Sequence, residues 1–434
     1  MRSQGEETLN LNLDLAYGHG TLPVRLPAAR AQCIVPLAAG EPAPEAELLR
    51  KALAQPIGAP PLRQVARPGQ TVAIVTSDLT RPCPSRRLLP PVLEELAAAG
   101  VADADITVVL ALGLHRPMTG PEMETAVGSE VVRRVRVLNH DPDDTVRLGV
   151  TAAGTPVEIF RAVVEAGLRV CLGNLELHYF AGCSGGAKAI LPGCASRAAV
   201  NANHAMMVRP EAAAGRLEGN PVRADIEEGA ALAGPAWILN VVVDALRQAQ
   251  DHGQHRIVDA VAGDPIAAHR AGCRMVAQRG IVPIDGRAGI VLVSAGGSPK
   301  DVNLYQAQKA LDNAAYGVQD GGVVILVAEC PEGMGNGTFE SWMTGGASPD
   351  ELLARIQEEF VLGGHKAAAM AAVLKRAAVY LVSALPAELV RRCGMVPFVG
   401  VDAALQAATA AVGAGASILV LPQGGSVLPL SRVG

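Results

Sequence analysis

Aromatic residues are scarce in this chain, since Phe, Trp and Tyr together form 3% of its 434 residues. Hydrophobic residues still reach 50%, so alanine, valine and leucine must supply the cores. Long hydrophobic runs are missing too: every apolar stretch is too short to span a bilayer, and the acidic start MRSQGEETLNLNLDLAYG lacks the basic-then-apolar plan of a signal peptide. These absences argue against a membrane protein, and we expect a cytoplasmic one.

Runs of like charge and paired cysteine motifs are also absent. The formal net charge is −5, with no basic stretch that would follow a polyanion, so we do not expect nucleic acid as a partner. The eight cysteines include no C-x-x-C pair, which argues against a disulfide framework and against a structural zinc site. Most of them are expected to be small, reduced core residues.

What the sequence does contain is a repeated alternation of strand and helix patterns. Helical patterns follow several β-branched apolar runs that end in polar turns, and this order is typical of α/β proteins with mainly parallel sheets. The runs are TVAIVTSD (71–78), ITVVLAL (106–112), RVCLGNL (169–175), GIVLVSAGG (289–297), GGVVILVAEC (321–330) and AVYLVSA (378–384).

The length predicts two such α/β domains, because 434 residues exceed what one hydrophobic core usually supports. We place the boundary near 275–288, giving domains 1–280 and 281–434 with an active-site cleft between them. Residues 11–26, LNLDLAYGHGTLPVRL, predict a β hairpin. The final stretch, 416–430, predicts a strand and an extended tail that could dock on either domain.

Polar side chains follow the predicted strands where each strand ends. In open parallel sheets, ligands bind beyond the carboxyl ends of the strands, so we expect these side chains to share one rim. Each also has a plainer interpretation as a helix cap, a surface ion pair or a solvated helix face. The residues are Asp78, Arg81, His115, Glu176, His178, Lys188, Lys300, Asn303, Gln306 and Lys309.

The glycine-rich stretch LHYFAGCSGGAKAILPG (177–193) admits three chemistries. A phosphate loop fails because Ala187 and Ala189 flank Lys188, where that motif requires glycine before the lysine and a hydroxyl residue after it. A serine nucleophile elbow fits G-x-S-x-G around Ser184, with His204 or His269 as base, but it requires a strand that runs directly into the serine. The third interpretation is a lysine presented on a glycine-lined wall for covalent attachment of a cofactor.

The chain resembles a known family, the nickel-pincer lactate racemases. The resemblance rests on motifs that run in order through most of the sequence: SDLTRPCP, GLHRPMT, HYFAGCSGGAKAILPG, NANHAMM, DVNLYQAQKAL and GNGTFESWM. It implies a racemase or epimerase of 2-hydroxy acids with a lysine-tethered pyridinium-3-thioamide-5-thiocarboxylic acid mononucleotide that binds nickel. It further implies that the first domain holds the cofactor and nickel, and that the second closes over the substrate.

The resemblance also implies roles for individual residues. Lys188 would be the cofactor tether and His204 the protein ligand to nickel, while His115 and His178 would be the acid/base pair on opposite faces of the substrate. The wall at Ser184–Gly186 would let a flat ring approach closely, because glycine has no side chain in the way. The substrate-binding positions would be Asp78, Arg81, Tyr305, Gln306, Lys309 and Trp342.

Two questions stay open at the level of sequence. Ala187 stands where an arginine often precedes the tether in this family, and Cys183 and Cys194 are further departures, so the substrate within the hydroxy acids and sugar acids is not fixed. The expected partners are a small 2-hydroxy acid and the enzymes that synthesise the cofactor. A non-catalytic relative that binds a hydroxy acid or nucleotide is the alternative, although binding alone does not need two proton-transfer groups.

Overall fold

The structure is a computed structural model that describes residues 10–37, 43–248 and 255–432. The strands are β1 (Asn10–Tyr17), β2 (Gly20–Pro27), β3 (Ala31–Cys33), β4 (Val72–Ser77), β5 (Ile106–Ala111), β6 (Arg136–Asn139), β7 (Thr145–Val150), β8 (Pro156–Phe160), β9 (Leu168–Leu175), β10 (Leu177–His178), β11 (Gly182–Cys183), β12 (Ala236–Gln248), β13 (His255–Gly263), β14 (Ile281–Ile284), β15 (Ala288–Ser294), β16 (Val318–Val327), β17 (Ala378–Val382), β18 (Val396–Phe398), β19 (Ile418–Leu421) and β20 (Leu428–Ser431).

The helices alternate with these strands along much of the chain. They are α1 (Glu45–Ala54), α2 (Leu62–Val65), α3 (Ser85–Ala98), α4 (Gly120–Val127), α5 (Ser129–Arg134), α6 (Arg161–Val164), α7 (Arg197–Ala205), α8 (Pro221–Leu232), α9 (Ala267–Gly280), α10 (Leu304–Ala315), α11 (Gly337–Thr344), α12 (Pro349–Glu358), α13 (Gly364–Leu374), α14 (Ala387–Arg392) and α15 (Val401–Val412). In the part of the chain that is described, none of them is long and apolar enough to cross a membrane. The cytoplasmic location stays a prediction.

The chain divides into two compact units. The central unit is Ala38–Arg279, and the composite unit joins Met1–Leu37 to Gly280–Gly434. The predicted boundary near 280 matches one edge of this division, but the sequence analysis placed the first residues in the first domain. They belong to the composite unit because β3 pairs in parallel with β19, a contact between residues nearly 390 positions apart that no local pattern signals.

The central unit is built on a six-stranded sheet in the order β13-β12-β9-β4-β5-β6. Its strands are parallel except β13, which pairs antiparallel with β12. The predicted strands at 71–78, 106–112 and 169–175 are confirmed as β4, β5 and β9. One face is covered by α3, whose apolar residues recur at helical spacing and are fully buried, as Leu89, Val92 and Leu96 show.

The composite unit contains a second sheet, wholly parallel, in the order β18-β17-β16-β15-β19-β3. The predicted hairpin is confirmed as β1 and β2, which meet at a turn between Tyr17 and Gly20. The tail that the sequence left unplaced forms β20, which pairs with β14 of the same unit. The α/β class with mainly parallel sheets is therefore confirmed, while a cleft between domains stays a prediction.

Candidate active site

Predicted site residues of the central unit follow three neighbouring strands. The strands β9, β4 and β5 lie side by side in parallel, so the segments after Leu175, Ser77 and Ala111 leave the same edge of the sheet. This arrangement brings the segments that carry Asp78 and His115 close to the loop that carries His178. The segments after these three strands therefore leave one edge of this sheet, while a single rim that also includes Lys300, Asn303, Gln306 and Lys309 stays a prediction.

His115 is held by a buried carboxylate. Its Nδ1 lies 2.6 Å from Oδ2 of Asp78, whose side chain is 5% exposed against 38% for His115. The other carboxylate oxygen accepts hydrogen bonds from the backbone N–H and hydroxyl of Thr80, at 3.1 and 2.6 Å. Burial by itself would raise the pKa of Asp78, but these hydrogen bonds and the charges of His115 and Arg81 keep it below its usual value. An ionised Asp78 orients Nδ1–H of His115 and leaves Nε2 as its basic nitrogen.

His178, Lys188 and His204 surround one aromatic ring. The ring of Phe180 is 4.6 Å from the centroid of His178 and 5.0 Å from that of His204, edge-on in both cases. Nζ of Lys188 lies 5.8 Å from the same ring. Three residues to which the family resemblance assigns different roles thus lie around one ring.

The surroundings of Lys188 favour the neutral form of its amine. Burial lowers its pKa well below the usual value, and the nearby charges of Arg223 and Arg81 lower it further against the opposing effect of Glu176.

The pKa of His178 is also lowered. Burial, and then the charges of Lys188 and Arg81, hold this pKa well below the usual value. Its Nδ1 accepts a hydrogen bond from the N–H of Ala181, at 3.3 Å. Arg81 itself is exposed and acts on these residues through its charge.

The hydroxyl of Ser184 is hydrogen-bonded to the backbone of its own segment and is not positioned as a nucleophile. Its hydroxyl donates to the carbonyl of Asn174 at 2.8 Å and accepts from the N–H of Glu176 at 2.9 Å. His269, considered from the sequence as its base, donates Nε2–H to the backbone carbonyl of Ser184 at 2.8 Å. The hydroxyl is therefore used in positioning the backbone, which disfavours the serine hydrolase interpretation.

Gly185 and Gly186 have backbone conformations that only glycine adopts without strain, with φ of 74° and 61°. A Cβ on Gly186 would lie 2.6 Å from Cδ2 of His269, and one on Gly185 would lie 2.7 Å from Oδ1 of Asn240. Oδ1 of Asn240 also accepts the N–H of Gly186, at 2.7 Å. Both glycines are required for the loop to turn into the short helical segment that presents Lys188.

Arg223 is a contributor that the sequence analysis missed. Its guanidinium is fully buried, and it donates to the carbonyl of Ala181 from Nε and Nη2, at 3.2 and 3.1 Å, and to the carbonyl of Cys183. It therefore supports the loop between His178 and Lys188 and supplies positive charge to it. The available signal was a charged pair inside the helical stretch PVRADIEEGAAL, which in isolation is typical of a solvated helix face.

The remaining predicted residues lie in the composite unit, on α10 and α11. Asn303 caps α10 by accepting the N–H of Gln306 at 3.0 Å, and Lys309 is exposed one turn further along. Tyr305 contacts Lys366, whose Nζ is 3.9 Å from the ring centroid. That these residues join His115 and His178 at one substrate stays a prediction.

Trp342, predicted to cover the site, is packed inside the composite unit. It is 3% exposed, and the guanidinium of Arg355 lies over its ring at 4.2 Å. A Cβ on Gly364 would approach the ring to 2.7 Å, which shows how closely α13 packs against it. In this structure its contacts are those of a core residue.

A metal site made of protein side chains alone is not found: over residues 10–37, 43–248 and 255–432, no three of His, Cys, Asp and Glu converge on a point. His204 offers a single imidazole. A nickel ion bound there would need further donors from the ligand that carries it.

Comparisons with known proteins agree with the resemblance seen in the sequence. The family models described as the lactate racemase N-terminal and C-terminal domains match residues 17–215 and 285–429. A lactate racemase from Thermoanaerobacterium thermosaccharolyticum is 35% identical over 96% of this chain and 99% of its own length. One from Lactiplantibacillus plantarum is 33% identical over 88% of this chain and 91% of its own.

Solved structures show the same relationship. The lactate racemase apoprotein from T. thermosaccharolyticum has a TM-score of 0.89 at 34% identity, over 96% of this chain and all of that one. A protein from Thermotoga maritima has a TM-score of 0.64 at 18% identity, over 91% of this chain and all of its own, which supports a shared fold alone.

Proposed function

The chain belongs to the lactate racemase family, and from that premise we propose that it is an isomerase that inverts carbon 2 of a 2-hydroxy acid. The substrate is a lactate-like, malate-like or sugar acid. The observation that carries the proposal is the grouping of His178, Lys188 and His204 around Phe180, at the same sheet edge as the His115–Asp78 pair. A binding protein would not need two imidazoles in such different settings.

The residues present fit a lysine-tethered nickel-pincer nucleotide. Attachment through an amide-type bond requires an unprotonated amine, and the lowered pKa of Lys188 meets that requirement. Gly185 and Gly186 make the turn that presents Lys188, and His204 would supply the imidazole ligand to nickel. When bound, the nucleotide would supply the hydride acceptor together with sulfur and carbon donors to the metal.

The two histidines handle the hydroxyl proton. Nε2 of His115 removes it from one enantiomer, and the imidazolium that forms is stabilised by the ionised Asp78. His178 does the same for the other enantiomer from Nδ1, in place of the hydrogen bond that this nitrogen accepts from the N–H of Ala181, and burial beside Lys188 and Arg81 favours its neutral form. At the start of each turnover one imidazole is neutral and the other protonated, so the proton that one removes is matched by the proton that the other returns to oxygen. Inversion needs both, because the planar 2-keto acid must be reprotonated on oxygen from either face.

Arg81 binds the substrate carboxylate. Its guanidinium offers two parallel N–H donors that match a carboxylate, and it is the exposed cation next to His178 and Lys188. We propose that Tyr305, Gln306 and Lys309 complete this grip from the composite unit. A closed site would keep water from the keto acid.

The proposal is tested by making the protein together with the cofactor-synthesis enzymes and measuring two things. Intact-mass and peptide mass spectrometry should find the nucleotide on Lys188, and Lys188→Ala should carry none. A chiral assay over lactate, malate, phenyllactate and aldonic acids should then find inversion of at least one substrate. Loaded protein that inverts none of them, yet binds a hydroxy acid, would instead support the non-catalytic alternative.

A further inference from the structure

A buried hydrogen-bonded chain leads from α8 to His204. Asp225 is 2% exposed, and its Oδ2 accepts from Nδ2 of Asn203 at 2.7 Å and from the hydroxyl of Thr155 at 2.9 Å. Its Oδ1 accepts from the hydroxyl of Thr151. Asn203 is itself fully buried, and its Oδ1 lies 3.0 Å from Nδ1 of His204. The three residues thus form a relay that ends on the proposed nickel ligand.

The orientation of the Asn203 amide follows from its partners. Nδ2 faces two acceptors, the carboxylate of Asp225 and the carbonyl of Val222, the latter at 3.2 Å. A backbone carbonyl only accepts hydrogen bonds, so the Asn203 atom that faces Val222 must be the amide nitrogen. A flipped amide would place its oxygen against both of them. The oxygen of Asn203 therefore faces His204.

The orientation of the Asn203 amide determines the tautomer of His204. Oδ1 of Asn203 can only accept, so Nδ1 of His204 must carry the hydrogen and Nε2 the lone pair. We propose that Asn203, anchored by Asp225 and the carbonyl of Val222, is a positioning residue that fixes His204 in the Nδ1–H tautomer and directs Nε2 to its ligand. The assignment of that ligand as nickel rests on the proposed function, but the tautomer does not.

The tautomer is measured directly by long-range ¹⁵N–¹H correlation spectra of protein labelled with ring-¹⁵N histidine, made without the cofactor-synthesis enzymes and held above the imidazole pKa. The signals of His204 are identified by their loss in His204→Gln. We expect one Nδ1–H tautomer in the wild-type protein. An Nε2–H tautomer, or an even mixture, in the wild-type protein would overturn the proposal.

Three variants locate the cause. Asn203→Leu keeps the side-chain size but removes the acceptor, so we expect both tautomers of His204. Asp225→Asn keeps an acceptor oxygen for Asn203, and its new N–H₂ can donate to Thr151, so we expect the wild-type tautomer. Glu158→Gln is the matched control, because Glu158 accepts from Ser196, the cap of the same helix α7, without contacting Asn203. Wild-type behaviour of Asn203→Leu, or a shift in Glu158→Gln, would contradict the relay, whereas a shift in Asp225→Asn would show that Asn203 depends on the carboxylate and would support it.

A second measurement connects the tautomer to metal binding. In protein carrying the cofactor, the half-life of bound nickel under a chelator challenge should fall about 10- to 100-fold in Asn203→Leu, the usual cost of removing such an orienting partner. It should be unchanged in Glu158→Gln. If the tautomer shifts but nickel retention does not, the relay stands and the role of His204 as the nickel ligand is wrong. If neither moves, the relay itself is wrong.

Discussion

The two proposed acid/base histidines lie in opposite electrostatic surroundings. His115 is partly exposed and donates to a buried carboxylate, whereas His178 is half-buried beside Lys188 and Arg81 and accepts a backbone N–H. A negative neighbour stabilises the imidazolium form, and burial among positive charges stabilises the neutral form. We therefore expect the two enantiomers to be deprotonated by histidines with different electrostatic surroundings.

The equilibrium between enantiomers limits which kinetic constants can report the difference between the two histidines. Enantiomers have equal free energies, so kcat/KM must be the same in both directions whatever the two histidines do. The difference between them must therefore appear in kcat and KM taken separately. This makes the comparison of the two regions testable by kinetics as well as by substitution.

The largest effect should come from removing either imidazole. His115→Ala and His178→Ala should each lower kcat/KM by about 10²- to 10⁴-fold, the usual contribution of a positioned acid or base, and equally for both enantiomers. Chiral chromatography of cofactor-loaded protein measures this, with the mass of the Lys188 adduct confirming loading. A variant that keeps more than a tenth of the wild-type activity would remove that histidine from the mechanism.

Asp78→Asn should have a smaller effect that belongs to the His115 side. Loss of a hydrogen bond to a charged group is equivalent to about 1.5–3 kcal/mol, or about 10- to 100-fold in kcat/KM. Steady-state kinetics on both enantiomers should show the loss, with unequal changes in the two kcat values. Asp144→Asn is the control, since Asp144 pairs with Arg161 at the surface. An unaffected Asp78→Asn would contradict the assigned role of the carboxylate.

On the other side of the comparison, Arg223 should control the reactivity of Lys188. Removing its charge in Arg223→Met favours the ammonium form, so the pKa of Lys188 should rise and its acylation should slow at pH values below the raised pKa, by at most about tenfold for each unit of pKa. Competition labelling of the apoprotein with an acylating reagent, read by peptide mass spectrometry, gives this rate. Arg223→Lys retains the charge and should label nearly as fast as wild type; equal slowing in both variants would point to distorted structure instead.

The smallest effect concerns acid stability. The folded-state pKa of Asp78 lies below its ordinary value, so the ionised carboxylate stabilises the fold above that value, and this contribution is lost as the pH falls through the folded pKa. Urea unfolding at pH 5 and pH 3 should therefore show a smaller loss of unfolding free energy in Asp78→Asn than in wild type. An identical loss in both proteins would mean that the His115–Asp78 pair is not formed in solution.

The sequence predicts much of this architecture because its sheets are buried on both faces. Runs such as 71–78 and 106–112 are continuously apolar, as central parallel strands must be, and each ends in a polar turn. Those turns carry Asp78 and His115, so the rim of the central unit follows from strand order alone. The specific roles of Lys188, in the short helical segment after Gly185, and of His204, on α7, could be assigned only through the family resemblance.

The parts of the fold and site that the sequence does not predict depend on contacts between residues that are far apart along the chain. The pairing of β3 with β19 joins opposite ends of the chain, and the buried Arg223 receives its partners from a loop about 40 residues earlier. Along α8, Arg223 and Asp225 look like exposed charges until those partners are known. Trp342 shows the converse, since its motif suggests a site residue while its contacts are those of a core residue.

In the proposed mechanism the histidines move only the hydroxyl proton, while the hydrogen on carbon 2 leaves and returns without exchanging with solvent. Racemising a single enantiomer with cofactor-loaded protein in D₂O, and following carbon 2 by ¹H NMR, tests this directly. We predict that the inverted product keeps protium at carbon 2. Deuterium there, accumulating in step with inversion, would mean that His115 and His178 exchange a carbon-bound proton and would contradict the account.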